Sequence, residues 1–331
     1  MQTYILSGAK ICLPDTIIND HYLIVKNGII TRINQEDVPK PDHIEIIKLS
    51  SNHTIIPGFI DVHMHKATKS LKELNNRVDL VYEVVDSRAP LASSNSELCD
   101  IFNLKPIIKI MTKKDLADPI MLKEWSKYFK HSYAINTLSN KNLKNEFMQK
   151  ALSIIPKRGT VLKPIRAVII GLPNVGKSTL INQLSQRKIA KVGDTPAVTR
   201  NIQTIKISNN FTLFDSPGVM LKNTGNNETG LKLAAISCIK DTAFDYPDIS
   251  EFIINQLILK YPDNLNRRYK IDINALNLNS IYRKILAYHE DQILDEKSII
   301  KASERIVNDF RKGLLGKVCL ENPKDYLELD Q

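Results

Sequence analysis

The chain has 331 residues, of which 43% are hydrophobic and 25% charged, and its net charge is +10. This composition excludes disordered and fibrous proteins, and the length allows two domains or three. No apolar run approaches the roughly 20 residues of a membrane span. The start lacks the apolar core of a signal peptide, and the four cysteines form no Cys-x-x-Cys pair, which together predict a cytoplasmic protein with reduced thiols.

The positive charge lies after residue 62. Residues 1–62 contain 5 basic and 7 acidic side chains, whereas residues 63–331 contain 41 and 29. An excess of this size favours a polyanionic partner such as RNA, and the alternative is a basic protein without such a partner.

The predicted elements divide the chain into three parts. Residues 1–62 are predicted to be β-rich, with a hairpin in which HYLIVK and IITRI flank Asn27-Gly28, a pair suited to a tight turn. Residues 63–225 alternate between strands and helices, which predicts an α/β domain with helices on both faces of one sheet. Residues 226–331 are predicted to be all-helical, because apolar residues recur at helical spacing in ISEFIINQLILKYP and KSIIKASERIVNDF.

Residues 171–178, GLPNVGKS, match the phosphate-loop pattern GxxxxGK[ST] between a predicted strand and a predicted helix. In such a loop the main chain wraps the phosphates, Lys177 reaches the outer ones and Ser178 binds Mg²⁺. The predicted phosphate-binding residues of the loop are Asn174, Val175, Gly176, Lys177, Ser178 and Thr179.

A second motif, DSPG, closes the strand FTLFD 37 residues after Ser178. Asp215 is predicted to hold Mg²⁺ through water, and the N–H group of Gly218 to sense the terminal phosphate. Thr199, in TPAVT between the two motifs, is the predicted third metal ligand, and the alternative is a threonine that caps a loop.

Base specificity is predicted from residues 112–115, TKKD, directly after the strand KPIIKIM. The carboxylate of Asp115 can accept from the ring N–H and the exocyclic amino group of guanine, whereas adenine offers neither donor. The predicted guanine-binding residues are Thr112, Lys113, Asp115 and, in the following loop YAIN, Asn136. The alternative for TKKD is a solvated run of charges.

The order of these motifs is circularly permuted, since ordinary GTPases carry the phosphate loop first and the base motif last. One sheet can be assembled from either order because function needs the site and not the connectivity. The expected fold is therefore a circularly permuted P-loop GTPase domain followed by a helical domain. The switch segments lead straight into that helical domain, so nucleotide state is predicted to set its orientation.

With these residues placed, residues 63–331 resemble the ribosome biogenesis GTPase A family of permuted GTPases. The motifs that carry the resemblance are HMHKATKSLKE, VYEVVDSRAPLASSN, TKKD, KPIRAVIIGLPNVGKSTLIN, AKVGDTPAVT, DSPGV, YPDNLNRRY and KASERIVNDFRKGLLGKVCLENP. The resemblance implies GTP hydrolysis coupled to late assembly of the large ribosomal subunit, and a helical domain that contacts ribosomal RNA. It also implies a potassium-assisted site at Asn174.

The catalytic residue is predicted from a part of the chain away from DSPG. Val219 follows DSPG where many GTPases carry a glutamine that orients the attacking water, so another group must do so. The resemblance gives this role to a histidine after Pro-Gly, and His63 is the candidate, although Asp61-Val62 precede it directly. Ala197 and Thr112 stand where the family more often has glycine and asparagine.

Residues 1–65 also resemble the start of an amidohydrolase, the N-acetylglucosamine-6-phosphate deacetylase family. His63 and His65 on one strand project to the same side, which suits two metal ligands. A complete barrel needs about 250 residues and further ligands. The segment is therefore interpreted as a truncated fragment fused to a GTPase, and deacetylase activity is a distant alternative.

The predicted function is a GTP-hydrolysing assembly factor for the large ribosomal subunit, and the alternative is a GTPase acting on another RNA or protein. The expected ligands are GTP, GDP, Mg²⁺ and K⁺, and no oligomer is expected. RNA contact is assigned to Lys297, Lys301 and Arg305 on one helical face, and the alternative there is a solvated surface. Further basic residues near this face are Arg267, Arg268, Arg311 and Lys312.

Overall fold

The computed structural model describes sixteen stretches of the chain. It forms two compact units, Met1–Val62 and His63–Gln331. In the described stretches, no helix has the length and apolar character to cross a membrane. The described residues are 3–8, 10–12, 17–19, 21–26, 29–34, 44–49, 54–55, 70–102, 104–137, 142–186, 202–216, 227–239, 244–270, 278–287, 289 and 293–327.

In the described part of the N-terminal unit there are seven short strands: β1 (Thr3–Ser7), β2 (Lys10–Cys12), β3 (Ile17–Ile18), β4 (Tyr22–Lys26), β5 (Ile29–Asn34), β6 (Glu45–Lys48) and β7 (Thr54–Ile55). They form one sheet in the order β5-β4-β1-β6 and another in the order β3-β2-β7. The predicted hairpin strands are confirmed, because β4 and β5 pair antiparallel with Lys26 opposite Ile29, and Asn27-Gly28 lie outside the described residues. Ile5, Leu23 and Val25 are buried in this unit.

The second unit is built around a six-stranded sheet. Its strands are β8 (Leu80–Asp86), β9 (Ile107–Thr112), β10 (Ser132–Ala134), β11 (Ile165–Gly171), β12 (Gln203–Ser208) and β13 (Phe211–Asp215). Their order is β10-β9-β8-β11-β13-β12, with every pair parallel except β12 and β13. All seven residues of β8 are buried, as expected of a central parallel strand covered on both faces.

Helices pack against both faces of this sheet. Residues 70–75 are helical, and the further helices are α1 (Ser96–Ile101), α2 (Pro119–Tyr128), α3 (Leu143–Ile154), α4 (Lys177–Ser185), α5 (Asn227–Ala235), α6 (Tyr246–Lys260), α7 (Pro262–Tyr269), α8 (Leu278–Leu286), α9 (Glu296–Arg311) and α10 (Lys324–Leu327). Alternate residues of β8 divide between the faces: Tyr82 packs with Phe147 of α3, and Val81 with Leu71. The predicted α/β fold is thereby confirmed.

The permuted connectivity is visible in the sheet order. Strands β8, β9 and β10 precede β11 in the chain and lie on one side of it, and β12 and β13 follow and lie on the other. The hydrophobic cluster of the sheet continues into the helical part through Leu233, Ile253 and Ile306. The domain boundary expected near residue 225 stays a prediction.

Candidate functional site

The parallel strands all end at the same edge of the sheet. The pairing places Asp86 beside Thr112, Met111 beside Ala134 and Ile169 beside Asp215. Ligands of open α/β sheets bind at this edge because the loops after adjacent strands converge there. The predicted phosphate and base motifs are therefore brought together.

The phosphate loop follows β11 and leads into α4. Asn174 and Gly176 both have positive φ, 59° and 94°, and Gly176 is the residue before the helix. A Cβ on Gly171 would lie 2.6 Å from the carbonyl oxygen of Val84, so only glycine fits where the loop leaves β11. A loop of this kind, ahead of a helix whose first N–H groups have no partner within the helix, is the usual arrangement of an anion site.

Lys177 and Asp215 form a buried ion pair at the foot of the phosphate loop. Nζ of Lys177 lies 2.8 Å from Oδ1 of Asp215 and also donates to the carbonyl oxygen of Ser216. The other carboxylate oxygen of Asp215, Oδ2, is buried and has no hydrogen-bond partner among the residues that the structure describes. A buried anionic oxygen left in this way fits a metal ligand, since an unpaired buried charge is unfavourable.

The chemistry of the predicted metal ligands suits Mg²⁺. Ser178 stands in the first turn of α4, next to Lys177, and supplies a hydroxyl oxygen. Carboxylate and hydroxyl oxygens, completed by phosphate and water, are the ligands that Mg²⁺ prefers. The remaining predicted contributors, Thr199 and Gly218, lie outside the described residues, as does the predicted catalytic residue His63.

The loop Lys113–Asp118, which we call the base loop, follows β9. Lys113 has a left-handed backbone, with φ 56°, and its Nζ lies 2.8 Å from Oδ2 of Asp86 and 2.8 Å from the carbonyl oxygen of Asn174. Asp115 is exposed within a short 3-10 turn. The N–H of Lys114 donates to the carbonyl oxygen of Ile135 (3.2 Å), which brings the loop containing Asn136 beside the base loop.

Thr112 connects the end of β9 to the neighbouring loops. The side chain is fully buried. Its hydroxyl lies 3.1 Å from the carbonyl oxygen of Val85 and within hydrogen-bond distance of that of Val175. Thr112 thus links the end of β9 to the phosphate loop, and its contact with guanine stays a prediction.

The prediction missed a buried ionic cluster beneath the base loop. Arg88 binds Asp86 through two parallel hydrogen bonds of 2.9 and 2.8 Å, and both side chains are almost fully buried. Burial alone would raise the pKa of Asp86, but the cations of Arg88 and Lys113 hold it well below its usual range. The sequence pattern that could have indicated this cluster is the pair Asp86 and Arg88, two residues apart where β8 ends beside β9.

The comparisons with known proteins agree with this geometry. The family described as 50S ribosome-binding GTPase matches residues 166–278. Ribosome biogenesis GTPase A of Bacillus licheniformis is 32% identical over 274 residues, covering 80% of this chain and 97% of that protein. The protein of the same name from Priestia megaterium is 34% identical over 284 residues, covering 80% and 96%.

The chain belongs to the ribosome biogenesis GTPase A family. As a member of this family it is a GTP-hydrolysing enzyme. A crystal structure of GNP-bound YlqF from Thermotoga maritima has the same fold, with a TM-score of 0.53 over 78% of this chain and 99% of that one at 23% identity. The shared fold is the permuted α/β arrangement described above.

The deacetylase resemblance of the N-terminal segment gains no such support. The relatives named here are ribosome biogenesis GTPases, and none is a deacetylase. His63 and His65, on which the proposed metal site depended, lie outside the described residues. Membership of the ribosome biogenesis GTPase A family is thus the part of the resemblance that is established.

Several basic side chains expected to contact RNA are engaged within this family member itself. Arg268 binds Asp309 at 2.8 Å, and Arg311 donates to the carbonyl oxygen of Ala234 at 2.8 Å. Arg267 donates to Oδ1 of Asn264 and to the carbonyl oxygen of Asp263, and Arg305 donates to the carbonyl oxygen of Ile285. The remaining three predicted residues are exposed on α9 or just after it, and they are Lys297, Lys301 and Lys312.

Proposed function

We propose that this GTPase assists assembly of the large ribosomal subunit in the cytoplasm, and that its nucleotide state controls its association with the subunit and its RNA. The family description and the names of the relatives support the ribosomal role. Nucleotide control is supported by one contact above all. Nδ2 of Asn174 donates to the carbonyl oxygen of Ser237 at 2.8 Å, which joins the phosphate loop to the residues that follow α5.

In the proposed site, guanine lies against the base loop. Asp115 accepts from the ring N–H and the amino group of the base, Lys113 lies along its plane, and Asn136 approaches from the neighbouring loop. Because Lys113 is already held by Asp86 and by the phosphate loop, its position is fixed before the base arrives. Thr112 links the end of β9 to the phosphate loop through its hydroxyl group.

The phosphates bind at the amino end of α4. Main-chain N–H groups of residues 174–179 donate to their oxygens, Lys177 neutralises charge on the outer phosphates, and the N–H of Gly218 contacts the terminal one. Ser178, Asp215 and Thr199 would hold Mg²⁺, which offsets the negative charge that develops on the phosphates. His63 is proposed to orient the attacking water, and Asn174 to bind K⁺.

The RNA contact is proposed for the exposed basic residues of α9. Lys297 and Lys301 are one helical turn apart, and Lys312 follows the helix. Cations on an exposed face bind phosphates without reading sequence, so the contact depends on salt. The helical domain that carries them is proposed to span residues 226–331, after a GTPase domain at 63–225.

Co-sedimentation with precursors of the large subunit tests the proposal. Association is expected with a non-hydrolysable GTP analogue and not with GDP, because the nucleotide state sets the geometry of the helical domain. Lys177→Ala, which should weaken nucleotide binding, serves as the control at a nucleotide concentration that saturates only the wild-type protein. Normal GTP turnover without nucleotide-dependent association would favour the alternative, a GTPase acting on another RNA or protein.

A further inference from the structure

The residues that follow α9 lie directly against the base loop. We call Gly313–Glu321 the terminal segment; five of its residues are buried, and they are Leu315, Val318, Cys319, Leu320 and Glu321. The N–H of Val318 donates to the carbonyl oxygen of Leu116, in the base loop, at 3.1 Å. A Cβ on Gly313 would lie only 2.6 Å from Cδ2 of Leu116. The terminal segment and the base loop therefore have little space to move independently.

Tyr261 joins the same two parts of the chain. Its hydroxyl donates to Oδ2 of Asp118 at 3.0 Å and accepts from the N–H of Cys319 at 3.2 Å. Asp118 is both the last residue of the base loop and the N-cap of α2, where its Oδ1 accepts from the N–H of Ile120. One phenol therefore connects the terminal segment to the point where the base loop enters its helix.

The terminal segment also holds the other side of the base loop, through the loop after β8. The N–H of Leu320 donates to the carbonyl oxygen of Arg88 at 2.7 Å, and Glu321 accepts from the N–H groups of Leu91 (2.8 Å) and Ala92 (3.0 Å). Arg88 binds Asp86, which in turn binds Lys113 of the base loop. Both ends of the base loop are thus attached to the terminal segment.

We propose that the terminal segment is a specificity-determining element that positions the base loop for guanine. The inference rests on the proposed contact between Asp115 and guanine. Asp115 is exposed and directly precedes Leu116, so any displacement of Leu116 moves its carboxylate. Paired hydrogen bonds weaken over a few tenths of an ångström, whereas phosphate binding depends on a different loop. Loss of the terminal segment's contacts should reduce discrimination between bases more than affinity for phosphates.

A matched pair of tyrosines tests this inference in the full chain. Tyr261→Phe removes the hydroxyl that bonds to Asp118, whereas Tyr269→Phe removes a hydroxyl that bonds to Asp309 within the helical part, at 2.9 Å. The measurement is the dissociation constant for GDP and for inosine diphosphate, which lacks the amino group. The preference for GDP is the dissociation constant for inosine diphosphate divided by that for GDP. We expect Tyr261→Phe to lower this preference by about three- to tenfold, the effect of one hydrogen bond, and Tyr269→Phe to leave it unchanged.

A matched pair of glycines provides the second test. Gly313 and Gly159 both have positive φ, 74° and 89°, so alanine strains the backbone at each. An added Cβ would meet Cδ2 of Leu116 at 2.6 Å in the first case and Cδ2 of Leu152, in α3, at 2.6 Å in the second. Both variants should lose stability, but only Gly313→Ala should lower the preference for GDP over inosine diphosphate.

The outcomes separate this inference from the proposed function. If Asp115→Ala leaves the preference for GDP intact, guanine binding by the base loop is refuted. If Asp115→Ala abolishes the preference but the members of each pair behave alike, the proposed function stands and the role of the terminal segment is refuted. If both members of a pair lose the preference for GDP to the same extent, the loss reflects a general effect on folding, and this outcome also refutes the role of the terminal segment.

Discussion

Two buried carboxylates at the site have different tasks, which their partners reveal. Both oxygens of Asp86 are engaged by Arg88 and Lys113, so this anion is fully used in holding the loops. Asp215 has one oxygen on Lys177, and Oδ2 accepts no hydrogen bond within the described part of the chain. Asp215, which has a buried oxygen without a hydrogen-bond partner in the described residues, can therefore bind a metal ion, whereas Asp86, with both oxygens hydrogen-bonded, holds the loops in place.

Lys177→Ala is expected to weaken nucleotide binding. The variant removes the cation that would reach the outer phosphates, and a charge-assisted hydrogen bond is worth about 1.5–3 kcal/mol. The dissociation constant for GTP should therefore rise by about ten- to a hundredfold, measured by titration with a fluorescent analogue. Lys206→Ala, an exposed residue on β12, is the control. Equal affinity in both variants would exclude Lys177 from the site.

Asp86→Asn is expected to destabilise the fold in a way that depends on pH. Removing the anion leaves Arg88 and Lys113 without their charge partner, which should lower the free energy of unfolding by about 3–5 kcal/mol at pH 7. Because the folded pKa of Asp86 lies below the unfolded one, the wild-type advantage is complete above about pH 4 and declines as pH falls through the folded pKa. Urea unfolding should show the difference between the two proteins beginning to narrow as the pH falls below about 4, and a constant difference would contradict this.

At the scale of elements, three helices are joined by buried hydroxyl groups. Ser250 of α6 lies 2.7 Å from the hydroxyl of Tyr282 in α8 and 3.0 Å from that of Ser303 in α9. These polar atoms lie within an otherwise apolar cluster that contains Ile253, Ile285 and Ile306. Such a network favours one alignment of the helices, because any shift leaves a buried hydroxyl unsatisfied.

Tyr282→Phe is expected to lower the free energy of unfolding by about 1 kcal/mol, since it removes one buried hydrogen-bond partner and keeps the ring. Thermal or urea unfolding measures the change. The affinity for GTP should stay at the wild-type value because no described contact joins Tyr282 to the base or phosphate loops. Wild-type stability in the variant would show that the network adds nothing.

The sequence was sufficient for the elements and for the local motifs. Strands such as β8 and β11 and the phosphate loop are each formed by contiguous residues. Their hydrophobic pattern predicted the strands, and the spacing of glycine, lysine and serine predicted the loop. Contacts between distant segments were not predictable in this way. The bond between Val318 and Leu116 joins residues two hundred positions apart, and the burial of Thr112 depends on strands packed on either side of β9. Such contacts depend on the tertiary packing and leave no local pattern.

At the scale of the whole molecule, each of the two compact units has buried apolar residues of its own. Ile5 and Leu23 are buried in the N-terminal unit, and the large cluster of the second unit begins at Leu80. The described nucleotide-site residues all belong to the second unit. The GTPase is therefore expected to fold without the first 61 residues.

A chain beginning at Val62 should bind GDP with the affinity of the full chain, because the described base and phosphate loops are retained. In the same background, His63→Ala should lower GTP turnover and leave GTP affinity nearly unchanged. Turnover is measured with and without ribosomal subunits, and affinity by titration. Loss of GDP binding in the shortened chain would show that the N-terminal unit supports the site, and unchanged turnover would remove His63 from the mechanism.

The permuted strand order has a consequence for synthesis. Of the six strands in this sheet, β8, β9 and β10 leave the ribosome first, and the second edge of β8 stays unpaired until β11 is made. Until then the nascent half-sheet presents an apolar strand with unpaired main-chain groups, which is the kind of edge that aggregates. The base loop is made long before Lys177 and Asp215, so GTP cannot stabilise the early half. The unpaired edge of β8 is thus exposed during translation, before the nucleotide can bind.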